Sequence, residues 1–275
     1  MKKQILYSIF GFLVGMMLYW SISAHQKALA YEKNTRAFIE QMGVKEQAQF
    51  QLKELAESFS LGLYQNEEKE QMEKIRSRQK ELKETSVQNA MYAILLGIGI
   101  LVFSFFVSLR TFSVMGSLVG LVSLWIGLST PIMMMTIHKE VEYLGDVVLA
   151  FESKGVWGSI IKLFESGETV VALTILLFSV LIPGVKTITL LFVSIFMESP
   201  FAHEIVRFFK MIGKWSMVDV FVVATFLVYL AGNGGEVSRA EVEVGLYFFL
   251  FYVIVSMLVS LSTDKLLHSL KGRAD

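Results

Sequence analysis

The chain of 275 residues contains no cysteine. Disulfides, thiolate metal centres and cysteine nucleophiles are thereby excluded. Charge of one sign is missing too: 25 Lys and Arg balance 25 Asp and Glu, for a net charge of +0. A neutral chain offers no electrostatic footing for nucleic acid or for a strongly acidic partner. No phosphate-binding loop, nucleophile elbow or HExxH is present, so neither ATP-driven transport nor enzymatic chemistry is expected of this chain. His138 and His203 lack companions at metal-ligand spacing, and no metal or other cofactor is expected.

What is abundant is apolar: 54% of residues are hydrophobic, 22 of them Phe, with only 3 Pro. The apolar residues gather into runs nearly free of charge at Ile5–Ala24, Asn89–Leu109, Thr111–Ile137, Thr169–Met197, Trp215–Leu230 and Val244–Ser262. A helix needs roughly 20 such residues to cross a bilayer. The expected fold is therefore an all-α polytopic membrane protein with about six transmembrane helices. Lys2 and Lys3, Arg110, the set Arg207, Lys210 and Lys214, and the set Lys265, Lys271 and Arg273 fall on one side if the runs alternate. By the positive-inside rule both termini are then cytoplasmic, with 25–88, 138–168 and 231–243 facing outward. The first run reads as an uncleaved anchor or as a signal peptide. Its length and its aromatic end at Tyr19 and Trp20 favour the anchor.

Residues 25–88 are Lys-, Glu- and Gln-rich, lack proline, and place Leu52, Leu55 and Phe59, then Met72, Ile75 and Leu82, at helical spacing. Such a seam suits paired helices. "SLGLYQNEE" breaks the pattern, and Asn66 begins a plausible cap for a helix running to Gln88. A periplasmic helical hairpin or coiled coil between the first and second spans is expected. It serves as a spacer, as a self-pairing surface for a homo-oligomer, or as a docking arm for a partner. "GVWGSIIKLFESGE" reads as an amphipathic re-entry segment, and the Met133–Met135 run as apolar filling.

Two ionisable residues lie inside the runs: Lys186 in the fourth and Asp219 in the fifth. Each costs at least about 2.5–3.5 kcal/mol at the bilayer centre unless paired or hydrated. On antiparallel neighbours they can pair, with Ser216, Thr187 and Thr189 as nearby hydroxyls. Pro183 and Gly184 just before Lys186, and Ser129, Thr130 and Pro131 in the third run, are expected to interrupt their helices. Interrupted spans around opposite charges are the ingredients of a polar midplane site, although a structural staple explains the pair equally well.

At "IGKWSMVDVFVVATFLVYL" the chain resembles the paraquat-inducible protein A family of bacterial inner-membrane proteins, which carry W-S-M-x-D-V-F at the start of a late transmembrane helix. Trp215, Ser216, Met217, Asp219 and Phe221 stand at the motif positions. "LIPGVKTITLLFV", with Pro183 before Lys186, is similar to the family's preceding helix, and "GLSTPIM", with Pro131, to its first. The likeness covers roughly Thr111 to Leu267, without the zinc-ribbon cysteines that many members carry. It implies lipid movement between the inner and outer membranes, with a membrane lipid as cargo and a periplasmic mammalian-cell-entry (MCE) domain protein as partner. The expected organisation is an anchor at 1–24, a hairpin at 25–88, an added span at 89–110, the family module at 111–267 and a tail at 268–275. A non-transporting sensor or scaffold whose hairpin binds a partner is the alternative.

Overall fold

The structure, a computed structural model, describes residues 2–41, 67–141, 145–196 and 238–271. Helices dominate it, and five of them are long and apolar enough to cross a membrane: Gln4–Ile39, Glu73–Val107, Leu109–Ser129, Thr169–Ile195 and Val244–Leu266. The chain is a multi-pass helical membrane protein. The sixth expected run, Trp215–Leu230, lies outside the described residues.

Helices α1 (Lys2–Gln41) and α2 (Glu67–Val107) lie side by side in opposite directions. Phe10 stacks on Phe103 at 5.3 Å between ring centroids and Trp20 on Tyr92 at 5.2 Å, and the Asn89 amide donates to the Ser23 hydroxyl at 2.9 Å. Neither helix breaks at the expected limits of the extramembrane segment, residues 24–25 and 88–89: each continues unbroken from the apolar run into the charged one. The reason is local: no proline or glycine punctuates either transition, and the Ser23 and Asn89 side chains bond each other across the pair instead of capping a helix end. Helix α2 begins at Glu67, directly after Asn66. The turn expected at 60–68 falls almost wholly outside the described residues.

Helix α3 (Leu109–Ser129) opens on Ser108, whose hydroxyl accepts from the Thr111 amide at 3.1 Å. It packs antiparallel against α7 (Val244–Lys271) along a stripe of small residues: Ser113, Gly116, Ser117, Gly120, Ser123 and Gly127. Without a strong hydrophobic drive between helices in lipid, association depends on close backbone approach, which small residues permit. A Cβ at Gly116 would stand 2.4 Å from Val259 Cγ2, and at Gly127, where backbone meets backbone, one would stand 2.8 Å from the Phe249 amide nitrogen. The buried serines satisfy themselves: Ser117 donates to the Ser113 carbonyl and Ser123 to that of Val119, both at 2.8 Å.

The third run differs from expectation. Its helix stops at Ser129, and β1 (Met133–Val141) follows. Thr130 is extended, at φ −99 and ψ 148, because a residue preceding proline is pushed out of the α region. Ser129, Thr130 and Pro131 thus end a helix rather than interrupt one, and the strand that follows buries Met133 and Met134 as apolar filling. β1 pairs antiparallel with β2 (Gly145–Lys154) on one side and β3 (Ser238–Val242) on the other. The register sets Met133 opposite both Lys154 and Val242. This small sheet adds to the expected helical class without displacing it.

Helix α4 (Val156–Glu165) is amphipathic, burying Ile160 while Trp157, Ile161 and Phe164 stay exposed. One span then runs through α5 (Thr169–Ile175), a π-helical turn (Leu176–Leu181) and α6 (Ile182–Ile195). Pro183 does not break it. Proline lacks a donor and crowds the carbonyl four residues back; here the wider π turn lies directly ahead of it, with the Ile182 amide bonded to the Leu177 carbonyl. Arg110 closes the far end of the span, reaching the Ser194 and Ile195 carbonyls at 3.2 and 2.7 Å. A cation at a helix C-terminus satisfies otherwise orphaned acceptors.

Candidate functional site

Directly after the π turn, three polar groups meet in the apolar interior. Pro183 cannot donate, but its carbonyl accepts from the Thr187 hydroxyl at 2.9 Å and from the Tyr252 hydroxyl of α7 at 3.0 Å. The two hydroxyls are themselves 3.0 Å apart. Thr187 is 2% exposed and Tyr252 fully buried. Unsatisfied hydroxyls in hydrocarbon cost several kcal/mol, so this closed triangle is what lets both sit at membrane depth. It also pins the span to α7 directly after the π turn.

Of the expected polar network, Thr187 is central to this triangle. Lys186 is its neighbour on α6, half-buried on the next flank of the helix. Thr189 turns away and bonds its own helix at the Val185 carbonyl, 2.7 Å off. Asp219, Ser216, Trp215, Met217 and Phe221 lie outside the described residues, and the Lys186–Asp219 pairing with them. Gly184 follows Pro183 in the first turn of α6 with open space around it.

A second polar cluster gathers where α1 and α2 pass the sheet. Glu243, between β3 and α7, is 1% exposed. Its backbone is fully used, the amide donating to the Ile132 carbonyl at 2.9 Å and the carbonyl accepting from the Leu246 amide at 3.0 Å. Among the described residues neither carboxylate oxygen accepts a hydrogen bond. The nearest cation is Lys83 of α2, with Nζ 3.8 Å from Oε1. Lys83 is shared: it also bonds Glu241 and stands 5.6 Å from the centre of the Tyr31 ring. Burial pushes the Glu243 carboxyl up to about 7; Lys83 opposes the rise, while Glu241 and Glu32 add to it. Nearby, His25 Nδ1 meets the Thr130 hydroxyl at 2.9 Å, tying α1 to the end of α3.

Sequence reasoning passed over Tyr252, Glu243 and Lys83. Tyr252 sits in "YFFLFYVIV" and reads as one more aromatic in a run. Glu243 closes the outward segment 231–243 and Lys83 is one of many charges in 25–88, so neither stands out in the sequence. The available signal was the alternation in "RAEVEV", a strand pattern that sends Glu241 and Glu243 to one face.

The family model described as paraquat-inducible protein A matches residues 117–268, just over half of the chain. Neither a curated protein nor a solved structure gives a match. The matched region takes in most of α3, the sheet, the span with the π turn and its Pro183–Thr187–Tyr252 triangle, and nearly all of α7. This multi-pass membrane chain belongs to the paraquat-inducible protein A family.

Proposed function

We propose that the chain is an inner-membrane component of lipid transport across a bacterial envelope. In this reading it hands a phospholipid or other membrane lipid to a periplasmic MCE-domain protein. The observation that carries the proposal is the family match over 117–268 together with a span inside it whose helix is widened and hydroxyl-clamped at Pro183. Single π turns within α-helices are frequent at functional sites. Lys186 is the ionisable residue beside that point, and Asp219 is the counter-charge proposed for it.

The positive-inside distribution supports a cytoplasmic location for both termini, which puts the sheet on the periplasmic side. Ile195 lies beside Arg110 at the end of the bundle opposite the sheet that contains Ser238, as a further crossing between them requires. That arrangement supports a sixth span at Trp215–Leu230. The paired extensions of α1 and α2 would then project outward, placed to meet the partner. No enzymatic activity is proposed.

Asp219→Asn tests the site. Loss of the envelope-lipid phenotype at unchanged protein abundance is the expected outcome. Loss of the folded protein instead would reduce Asp219 to a structural staple. The alternative, a non-transporting sensor, draws support from the contacts of Lys83 with Glu241 and Glu243, which join the extension to the family module. It requires that Asp219→Asn leave lipid traffic intact.

A further inference from the structure

Outside the span with its hydroxyl triangle, the most unusual group among the described residues is Glu243. A buried carboxylate ordinarily accepts several hydrogen bonds; this one accepts none there, although its backbone is fully bonded. Three elements converge on it. Helix α2 contributes Lys83, α1 contributes Tyr31 and Glu32, and β3 contributes Glu241. His25 reaches the same corner through Thr130, which is itself uncharged. The single cation 3.8 Å away is divided between two carboxylates, and Glu241, the more exposed of them, holds the hydrogen bond.

We propose that Glu243 is a proton-binding site that latches the α1–α2 pair to the sheet of the family module, closed with the proton bound and loosened when it is lost. The protonated carboxyl is neutral and tolerates its dry position. The ionised form is left with half a lysine and two neighbouring carboxylates, and it gains by admitting water. Parting of α1 and α2 from β3 admits that water. Linkage fixes the sign: the group holds its proton more tightly when packed than when hydrated, so packing is favoured at acid pH and weakened as pH rises. The latch does not depend on what the membrane module carries.

The absence of cysteine makes the test clean. Ser77→Cys on α2 and Ser153→Cys on β2 would be the only thiols, and spin labels on them report the separation of helix and sheet. The full chain is measured in phosphatidylcholine nanodiscs from about pH 5 to about pH 9. The distance distribution should lengthen and broaden with a midpoint near 7. In Glu243→Gln it should stay short at every pH, because the amide mimics the protonated acid. In Lys83→Gln the midpoint should move to higher pH, since the cation that favours ionisation is gone. A distribution that ignores pH in the unsubstituted chain overturns the latch. So does a pH response that survives in Glu243→Gln or that is unmoved by Lys83→Gln.

Discussion

Tyr252 carries one hydroxyl into an otherwise apolar helix contact, and the phenol is tolerable there because Pro183, midway along the partner span, offers it a carbonyl lone pair. A helix carbonyl has a second lone pair beyond its backbone bond, and the Thr187 and Tyr252 hydroxyls converge on this one. Tyr252→Phe should cost about 1 kcal/mol, the net worth of one hydrogen bond whose acceptor keeps another donor. Denaturant unfolding in micelles would measure it. Thr187→Val together with Tyr252→Phe should cost less than the two single changes summed, because the hydroxyls stand 3.0 Å apart and each single change already removes a contact of the other. Glu243 shows the opposite situation, a charge without adequate company. Its folded value of about 7 lies above the ordinary 4.5, so stability is greatest below 4.5 and falls as pH rises towards 7. That shift corresponds to about 3 kcal/mol at about 1.36 kcal/mol per pH unit. Glu243→Gln should flatten the loss: thermal unfolding at acid pH should match the unsubstituted chain, while above neutrality the variant should melt higher.

Among the elements, the junction of α3, the sheet and α7 has the tightest geometry. The Gly245 amide donates to the Pro131 carbonyl at 2.9 Å, and the strands β1 and β3 hold the two chains in register just beyond. A Cβ on Gly245 would stand 2.5 Å from the Thr130 carbonyl oxygen and 2.6 Å from that of Pro131, both backbone atoms that cannot rotate away. Gly245→Ala should therefore separate α3 from α7 at this end. A loss of several kcal/mol is expected, in the range of severe core overpacking, and would be read as a collapse in folded yield by size-exclusion chromatography. The small-residue stripe continues this contact down the membrane. Pro131 accordingly acts as punctuation: it stops one helix, starts a strand, and offers the acceptor on which the last helix begins. Pro183 has the other role that a proline can take in a membrane, a local widening within a span that continues on both sides.

At the level of the whole molecule, the described chain is one bundle in which α1 and α2 are added to a family module and extend past its sheet. Polarity across the membrane sorts its two ends. Cysteines introduced at Ser153 near the sheet and at Ser108 beside Arg110 should respond oppositely to a membrane-impermeant maleimide applied to cells with a permeabilised outer membrane. Labelling of Ser153→Cys with protection of Ser108→Cys is expected; the reverse would invert the orientation argued from the basic residues.

The helical membrane class and the approximate span positions were legible in the residues themselves, because bilayer thickness is imposed from outside and a run of apolar residues has few other uses. The amphipathic character of Val156–Glu165 and the prolines that disturb regular helix were legible for the same local reason. What each proline does was not. Residues 129–131 and 181–183 look alike in a linear reading, and only neighbours decide: strands β2 and β3 wait beside the first, while α7 brings a phenol to the second. Tertiary structure alone also selected Glu243 and Lys83 from among 50 charged residues. Burial depends on which surfaces meet, and α1, α2 and β3 meet there across more than 200 positions of sequence. No pattern within any one of them encodes that encounter.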